Sequence, residues 1–206
     1  MPFNINTFKT DGLVYGGARP SLFSVTFGPL PKNLNISSTS LEKFSFLCKT
    51  GQLPESALGT IEVPYFGRKI KVAGERTFSD WAVTVMNDED FAVRSLFENW
   101  SNAINRKVSN VRNPALITEN YKVDLIVTQY GKDGAVIRAY RLVGAFPATI
   151  GPIGLNWEST NAVEEFSVNF AYDYWVPDVE VSDKNNGINT YAVDAEADGP
   201  NGSRAI

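Results

Sequence analysis

The fold class predicted by this sequence is mainly β: an antiparallel β-barrel or sandwich with one flanking amphipathic α-helix. Three observations carry it. Aromatic residues make up 12 % of the chain, Phe and Tyr dominate them, and together with many Val and Ile they suit pleated, half-buried strands. Several segments alternate apolar and polar residues with a period of two, and one segment changes to spacings of three and four. With 206 residues, 43 % of them hydrophobic, the chain can bury a single sizeable core.

The elements follow in order. Residues up to Pro20 are turn-rich, with Gly12, Gly16 and Gly17. Ser21 to Phe27 reads as a strand, and so does Glu42 to Lys49, where Phe44, Phe46 and Cys48 share one parity. Thr50 to Ser56 contains Gly51 and Pro54 and reads as a loop. Two short extended runs, Gly59–Val63 and Arg68–Val72, are separated by Pro64 and Gly67, the pattern of a hairpin or long arm. In Trp81 to Met86, Trp81, Val83 and Val85 alternate with Ala82, Thr84 and Met86.

From Asp88 to Lys107 the period lengthens. Phe91, Val93, Leu96, Phe97, Trp100, Ala103 and Ile104 recur at helical spacing. Asn87 or Asp88 can cap this helix, and its packing face is expected to hold Phe91, Phe97, Trp100 and Ile104. Lys122–Tyr130 and Ala135–Val143 are strands joined by a Gly131-Lys132-Asp133-Gly134 turn, and Phe146 to Pro152 reads as a connection. Glu164 to Trp175 is the clearest strand. Phe166, Val168, Phe170, Tyr172 and Tyr174 face one side, and Glu165, Ser167, Asn169, Ala171 and Asp173 face the other.

The formal charge of −4 is unevenly spread. Residues 176–206 carry six of the 23 acids and two of the 19 bases, which leaves 17 of each sign before them. The body is therefore neutral, without the basic excess of a nucleic-acid binder. The acidic, loop-like end reads as an extension separate from the 1–175 domain.

Catalytic chemistry finds little support. The chain has no histidine, which removes Ser-His-Asp, Cys-His and histidine-metal arrangements, and neither a cofactor nor a metal is expected. The single cysteine, Cys48, reads as a small buried hydrophobe. Asp88-Glu89-Asp90 precedes a helix and is explained by capping, while the neighbouring Glu164 and Glu165 point to opposite faces of a strand. The basic stretch Arg68-Lys69-Ile70-Lys71 with Arg76 lacks a phosphate-binding glycine loop and reads as a solvated strand or a subunit contact. There is no leader-like segment at the start, and no apolar run approaches the length needed to span a membrane.

The run from Arg68 to Asp88 says more. Arg68-Lys69-Ile70-Lys71-Val72-Ala73-Gly74-Glu75-Arg76-Thr77-Phe78-Ser79-Asp80-Trp81, continuing as Ala82-Val83-Thr84-Val85-Met86-Asn87-Asp88, resembles the tail tube proteins of T-even-type contractile-tailed bacteriophages without a gap. Arg68, Gly74, Arg76, Thr77, Phe78, Asp80 and Trp81 are its most specific positions. Arg19-Pro20, Phe44-x-Phe46-x-Cys48-Lys49, Leu53-Pro54, Trp100, Phe146-Pro147, Leu155-x-Trp157-x-Ser159 and Asp173-Tyr174-Trp175 follow in family order. Phe146 stands where relatives often carry Trp, and the pattern ends near Trp175.

The resemblance implies a structural subunit without enzymatic activity. Six copies form a ring, rings stack into the inner tube of the tail, and the tube is driven through the host envelope and conducts the genome. Partners would be other copies, the tail sheath, baseplate, tape-measure and tail terminator proteins, in a virion assembled in the host cytoplasm. Double-stranded DNA would pass without tight binding, since phosphate contacts from Lys and Arg dominate affinity. On that reading Glu165, Ser167, Asn169 and Asp173 face the lumen. The segment holding Thr50, Gly51, Pro54, Glu55, Pro64, Tyr65, Phe66 and Gly67 is the contact between rings. A tube of a phage-derived injection particle, or a stand-alone β-sandwich binding module, is the alternative.

Overall fold

The computed structural model describes residues 4–13, 16–31, 34, 38–114, 116 and 120–179. The acidic extension beyond Val179 lies outside them. A one-turn helix α1 (Ile5–Thr7) and a π-turn (Phe8–Gly12) open the chain. Then come β1 (Phe23–Phe27), α2 (Ser38–Leu47), β2 (Cys48–Thr50), β3 (Ala57–Tyr65), β4 (Arg68–Thr77) and β5 (Trp81–Met86). The order continues with α3 (Ala92–Ile104), β6 (Val123–Tyr130), β7 (Val136–Ile150), β8 (Glu165–Ala171) and β9 (Tyr174–Val179).

Seven strands form one antiparallel sheet in the order β1-β6-β7-β8-β5-β2, with β9 also on β7. Strand β7 is common to two half-sheets. Its first part pairs with β6 and β9, and its last residues, from Phe146, pair with β8. At the crossing, Gly144 has φ +68°. The sheet curls there into a nearly closed, barrel-like body. A Cβ at Gly144 would lie 2.6 Å from Asp173 Oδ2 and 3.2 Å from Lys122 Cδ. Gly134, in the β6–β7 turn, has φ +80° with nothing within 4 Å. Gly134→Val therefore meets only backbone strain, roughly 1–3 kcal/mol, whereas Gly144→Val is expected to lose visibly more. Urea denaturation of the pair reads the difference, and equal losses would show that the kink tolerates a side chain.

The inward sides of β5 (Trp81, Val83, Val85), β6 (Val123, Leu125, Val127) and β8 (Phe166, Val168, Phe170) are all buried, as strand alternation requires. Helix α3 closes this core with Val93, Leu96, Phe97 and Trp100 at i, i+3, i+4 and i+7. Phe27, Phe44, Phe97 and Phe170 pack around it with ring centroids 4.9–6.4 Å apart. Trp100 is fully buried, and its indole N–H donates to the Tyr121 carbonyl at 2.9 Å.

Several expectations are corrected. Glu42–Lys49 is not a strand: Ser38–Leu47 is helix α2, and only Cys48–Thr50 is extended. Phe44 is buried while Phe46 is 83 % exposed, so the two do not share a face. The long helix begins at Ala92, not Asp88. Its N-cap is Phe91, at φ +53° with no side-chain cap bond. Phe91 is 43 % exposed and does not belong to the helix's packing face. The acids before it work differently from capping alone. Asp90 accepts the Ala92 N–H at 3.0 Å. Asp88 and Asp90 both pair with Lys43 of α2, tying the two helices together. Lys43 first, and then the Ala92 amide, hold the Asp90 carboxyl down at about 2.

Phe146–Pro152 is not simply a connection, because β7 runs on to Ile150. Glu164–Trp175 is two strands, with a break at Tyr172 and Asp173, and β9 continues past Trp175. Cys48 is only partly buried, packed against the edge of the core rather than inside it. Burial pushes its thiol up to about 12, which disfavours the reactive thiolate near neutral pH. Thiol reagents are expected to label it slowly in the native protein and rapidly in denaturant. Fast native labelling would contradict the burial.

Candidate assembly surfaces

Strands β3 and β4 form a separate two-stranded sheet that pairs with no other described strand. Every residue of β3 is exposed, and so is every residue of β4 except Gly74. The register sets Ile61 against Val72, Val63 against Ile70 and Tyr65 against Arg68 on one face. Thr60 with Ala73, Glu62 with Lys71 and Pro64 with Lys69 make the other face. One side is thus apolar and the other charged, with a Lys69–Glu62 ion pair of 2.6 Å across it. Ile61, Val63, Ile70 and Val72 are 46–56 % exposed. A two-stranded ribbon is marginal alone, and a continuous exposed apolar face marks a contact surface.

The tip is unusual. Phe66 (φ +42°) and Gly67 (φ +80°) form the two-residue turn. This left-handed pair normally falls to Asn-Gly, and a bulky residue there is strained. Phe66 is 92 % exposed and meets Tyr65 edge-on at 4.6 Å. Local stability does not explain an aromatic side chain in that place.

The base of the hairpin is anchored firmly. Trp81 Nε1 donates to the Gln52 carbonyl at 2.7 Å, and Trp175 Nε1 to the Glu55 carbonyl at 3.0 Å. Gly51 lies against Trp81, where a Cβ would sit 3.4 Å from its ring. Arg76 Nη1 reaches Ser56 Oγ at 3.4 Å, and Phe78 packs on Tyr172 at 6.1 Å. Burial leads the causes that raise the Tyr172 phenol, with Glu55 and then Asp80 adding to it. At Gly74 the hairpin bends: a Cβ would come within 3.2 Å of the Gly59 backbone, beside the register shift between Leu58 and Thr60. The motif residues thus divide between tip (Arg68), bend (Gly74) and base (Arg76, Thr77, Phe78, Asp80, Trp81). Thr50, Gly51, Pro54 and Glu55 belong to the base, and Pro64 to Gly67 to the tip.

Glu165, Ser167 and Asn169 lie on the outer face of β8, opposite Met86, Thr84 and Ala82 of β5, with Thr149 of β7 beside Asn169. This patch is small and polar. Its acid, Glu165, pairs with Lys49 at 2.5 Å. Asp173 sits apart, past the break in the strand. Its side chain is half exposed, and both carboxylate oxygens accept from Lys122 Nζ at 2.7 Å.

Sequence reasoning passed over a further surface. The loop between β7 and β8 exposes Leu155, Val163 and Trp157, the last completely (103 %). Its turn is held by the Asn156 side chain, which accepts the Glu158 N–H at 3.0 Å, and by the Ser159 N–H donating to the Asn156 carbonyl at 3.2 Å. Alternation says nothing about loops, so only the Leu155-x-Trp157 pair itself was a signal. Among the described residues no cluster of three or more potential metal-ligating side chains occurs, and no helix is long and apolar enough to cross a membrane.

This curled antiparallel fold with one long helix laid on its core is shared with solved proteins of contractile injection systems. The sheath/tube terminator of an extracellular contractile injection system (PVC) superposes with TM-score 0.57 at 14 % identity, covering 79 % of this chain and 97 % of that one. The sheath-tube complex of that system gives TM-score 0.51 at 15 % identity, over 82 % and 95 %. The sequence is more specific: residues 18–178 match the phage tail tube protein family, and the chain belongs to that family. It is 37 % identical over 161 residues to tail tube protein gp19 of Enterobacteria phage T4, covering 77 % of this chain and 90 % of the relative. The tail tube protein of Serratia phage KSP90 is 27 % identical over 134 residues, covering 64 % and 73 %.

Proposed function

We propose that this chain is a structural, non-enzymatic subunit of a contractile phage tail tube. Copies close into six-membered rings, and rings stack through the β3–β4 hairpin into a tube that conducts the genome. The virion is its working location, and assembly takes place in the host cytoplasm. Sheath, baseplate, tape-measure and terminator proteins are its partners in the particle. The observation that carries this reading is the hairpin: an amphipathic arm, based on two tryptophans, whose apolar face has no cover among the described residues. Electron microscopy of the purified protein tests it. Ring stacks or tubes are the expected result, and a protein that stays monomeric at high concentration would overturn it.

The outer face of β5 and β8 is the proposed bore lining. Its small hydroxyl, amide and methyl groups offer phosphate no cation that is not already held by an acid, so a polyanion can slide. Ser167→Lys with Asn169→Lys is expected to leave tubes intact and make them retain linear duplex DNA at low salt, which wild-type tubes release. If the double variant also releases the DNA, this face does not line the bore.

A further inference from the structure

The hairpin and the Trp157 loop leave the body at opposite ends of the same strands. Strand β5 starts at Trp81 opposite Phe170 and ends at Met86 opposite Glu165. The hairpin joins at the Trp81 end, since β4 finishes at Thr77. The loop joins at the Glu165 end, where β7 finishes at Ile150 and β8 begins. A six-residue strand separates the two by roughly 17–20 Å.

The two surfaces also match in chemistry. Each presents apolar side chains that the lone subunit leaves open: Ile61, Val63, Ile70 and Val72 on the hairpin, Leu155 and Trp157 on the loop. Hairpin residues 57–77 hold four bases and two acids, whereas residues 151–164 hold Glu158 and Glu164 and no base. The turn bearing Trp157 is held by its own hydrogen bonds, so the backbone that carries the ring is formed before any contact is made. Tryptophan is enriched among the residues that anchor protein interfaces.

We propose that the Leu155–Trp157 turn of one copy is the seat for the apolar face of the β3–β4 hairpin of the next copy, joined head to tail along the strand direction. The proposal rests on the inter-ring role of the hairpin and adds its receptor. A contact between two different surfaces at opposite ends of one subunit is not used up by pairing; it leaves a free hairpin at one end and a free seat at the other, so growth continues. The opposite charges of hairpin and loop orient the approach and make early growth sensitive to salt.

The first arm of the test, cross-linking, keeps both apolar surfaces intact. Arg68→Cys lies at the hairpin tip and Glu158→Cys beside Trp157; the single variants measure any background from the half-buried Cys48 thiol. Tubes of the full-length double variant, treated with a short bis-maleimide, are expected to give a ladder of covalent oligomers on denaturing gels, and either single variant is not. Trp157→Ala, folded as judged by an unchanged melting temperature, is expected to yield rings or short stacks in place of long tubes. Normal double-variant tubes that give no ladder would overturn the proposal. So would Trp157→Ala tubes of wild-type length, including ones that have lost only sheath binding, which would assign the turn to that partner. If a shortened hairpin still supports long tubes, the inter-ring reading itself falls, a result distinct from a misplaced seat.

Discussion

Removing residues 61–72, with the flanking strands rejoined by an Asn-Gly turn, is expected to abolish long tubes while leaving the melting temperature of the subunit within a few degrees of wild type. The body contributes almost nothing to the outer hairpin: all of β3 and nearly all of β4 are exposed, and the core is complete without them. What disappears is the contact. Ile61, Val63, Ile70 and Val72 each keep about half their surface open. Covering the remainder on a neighbour stabilises by about 1 kcal/mol per side chain, or roughly 4 kcal/mol per hairpin, near a thousandfold in association constant. In the proposed six-membered ring, six such losses act together. Ile61→Asp with Ile70→Asp is the milder form and should shift assembly to much higher protein concentration. Sedimentation and electron microscopy read both variants, and long tubes from the truncated chain would remove the hairpin from the assembly.

Trp100→Ala is expected to lower the unfolding free energy by about 3–5 kcal/mol. The indole is fully buried, packs edge-on to Phe27 at 5.9 Å, and satisfies the Tyr121 carbonyl. The substitution therefore opens a cavity and strands an acceptor together. Against a total of ~5–15 kcal/mol, that loss alone can leave a visible unfolded fraction at 37 °C. Phe91→Ala, at the N-cap two residues before the buried stripe, serves as the control. Its ring is partly exposed and its backbone left-handed, so the change should cost less than about 1 kcal/mol. Urea denaturation of both variants checks the contrast, and similar losses would mean that the helix is not held by its Val93–Trp100 stripe.

The sequence was most readable where one physical rule acted alone. Trp81–Met86 and the first part of Glu164–Trp175 alternate cleanly because one side meets the core and the other does not. The stripe Val93, Leu96, Phe97, Trp100 identified α3 for the same reason. Glu42–Lys49 carried two patterns at once. Phe44, Phe46 and Cys48 alternate, but Leu41, Phe44, Leu47 and Cys48 also lie on one helical face, and contact with Phe27 and Phe97 selects the helix. Pro147 pointed to a connection, yet the register shift just after it lets β7 carry a proline without a paired amide. The hairpin of the candidate site was visible as extended runs around Pro64 and Gly67. Its detachment from the body was not, because exposure depends on what fails to pack against it. The Trp157 turn was quoted only as part of a resemblance for the same reason.

The separation of hairpin from body also sets a race in time. Strand β1 pairs with β6 across about a hundred residues, and β5 with β8 across about eighty. Closing such distant partners is slow, whereas a local ribbon like β3–β4 zips within microseconds. A new chain can therefore sample its hairpin, marginal as it is alone, before it owns a body that controls where the proposed contact is made. Dilute synthesis gives the slower closure time to finish. Crowded synthesis lets arms meet unfinished neighbours, so yield of tube-competent subunits should fall with expression rate faster than total protein rises.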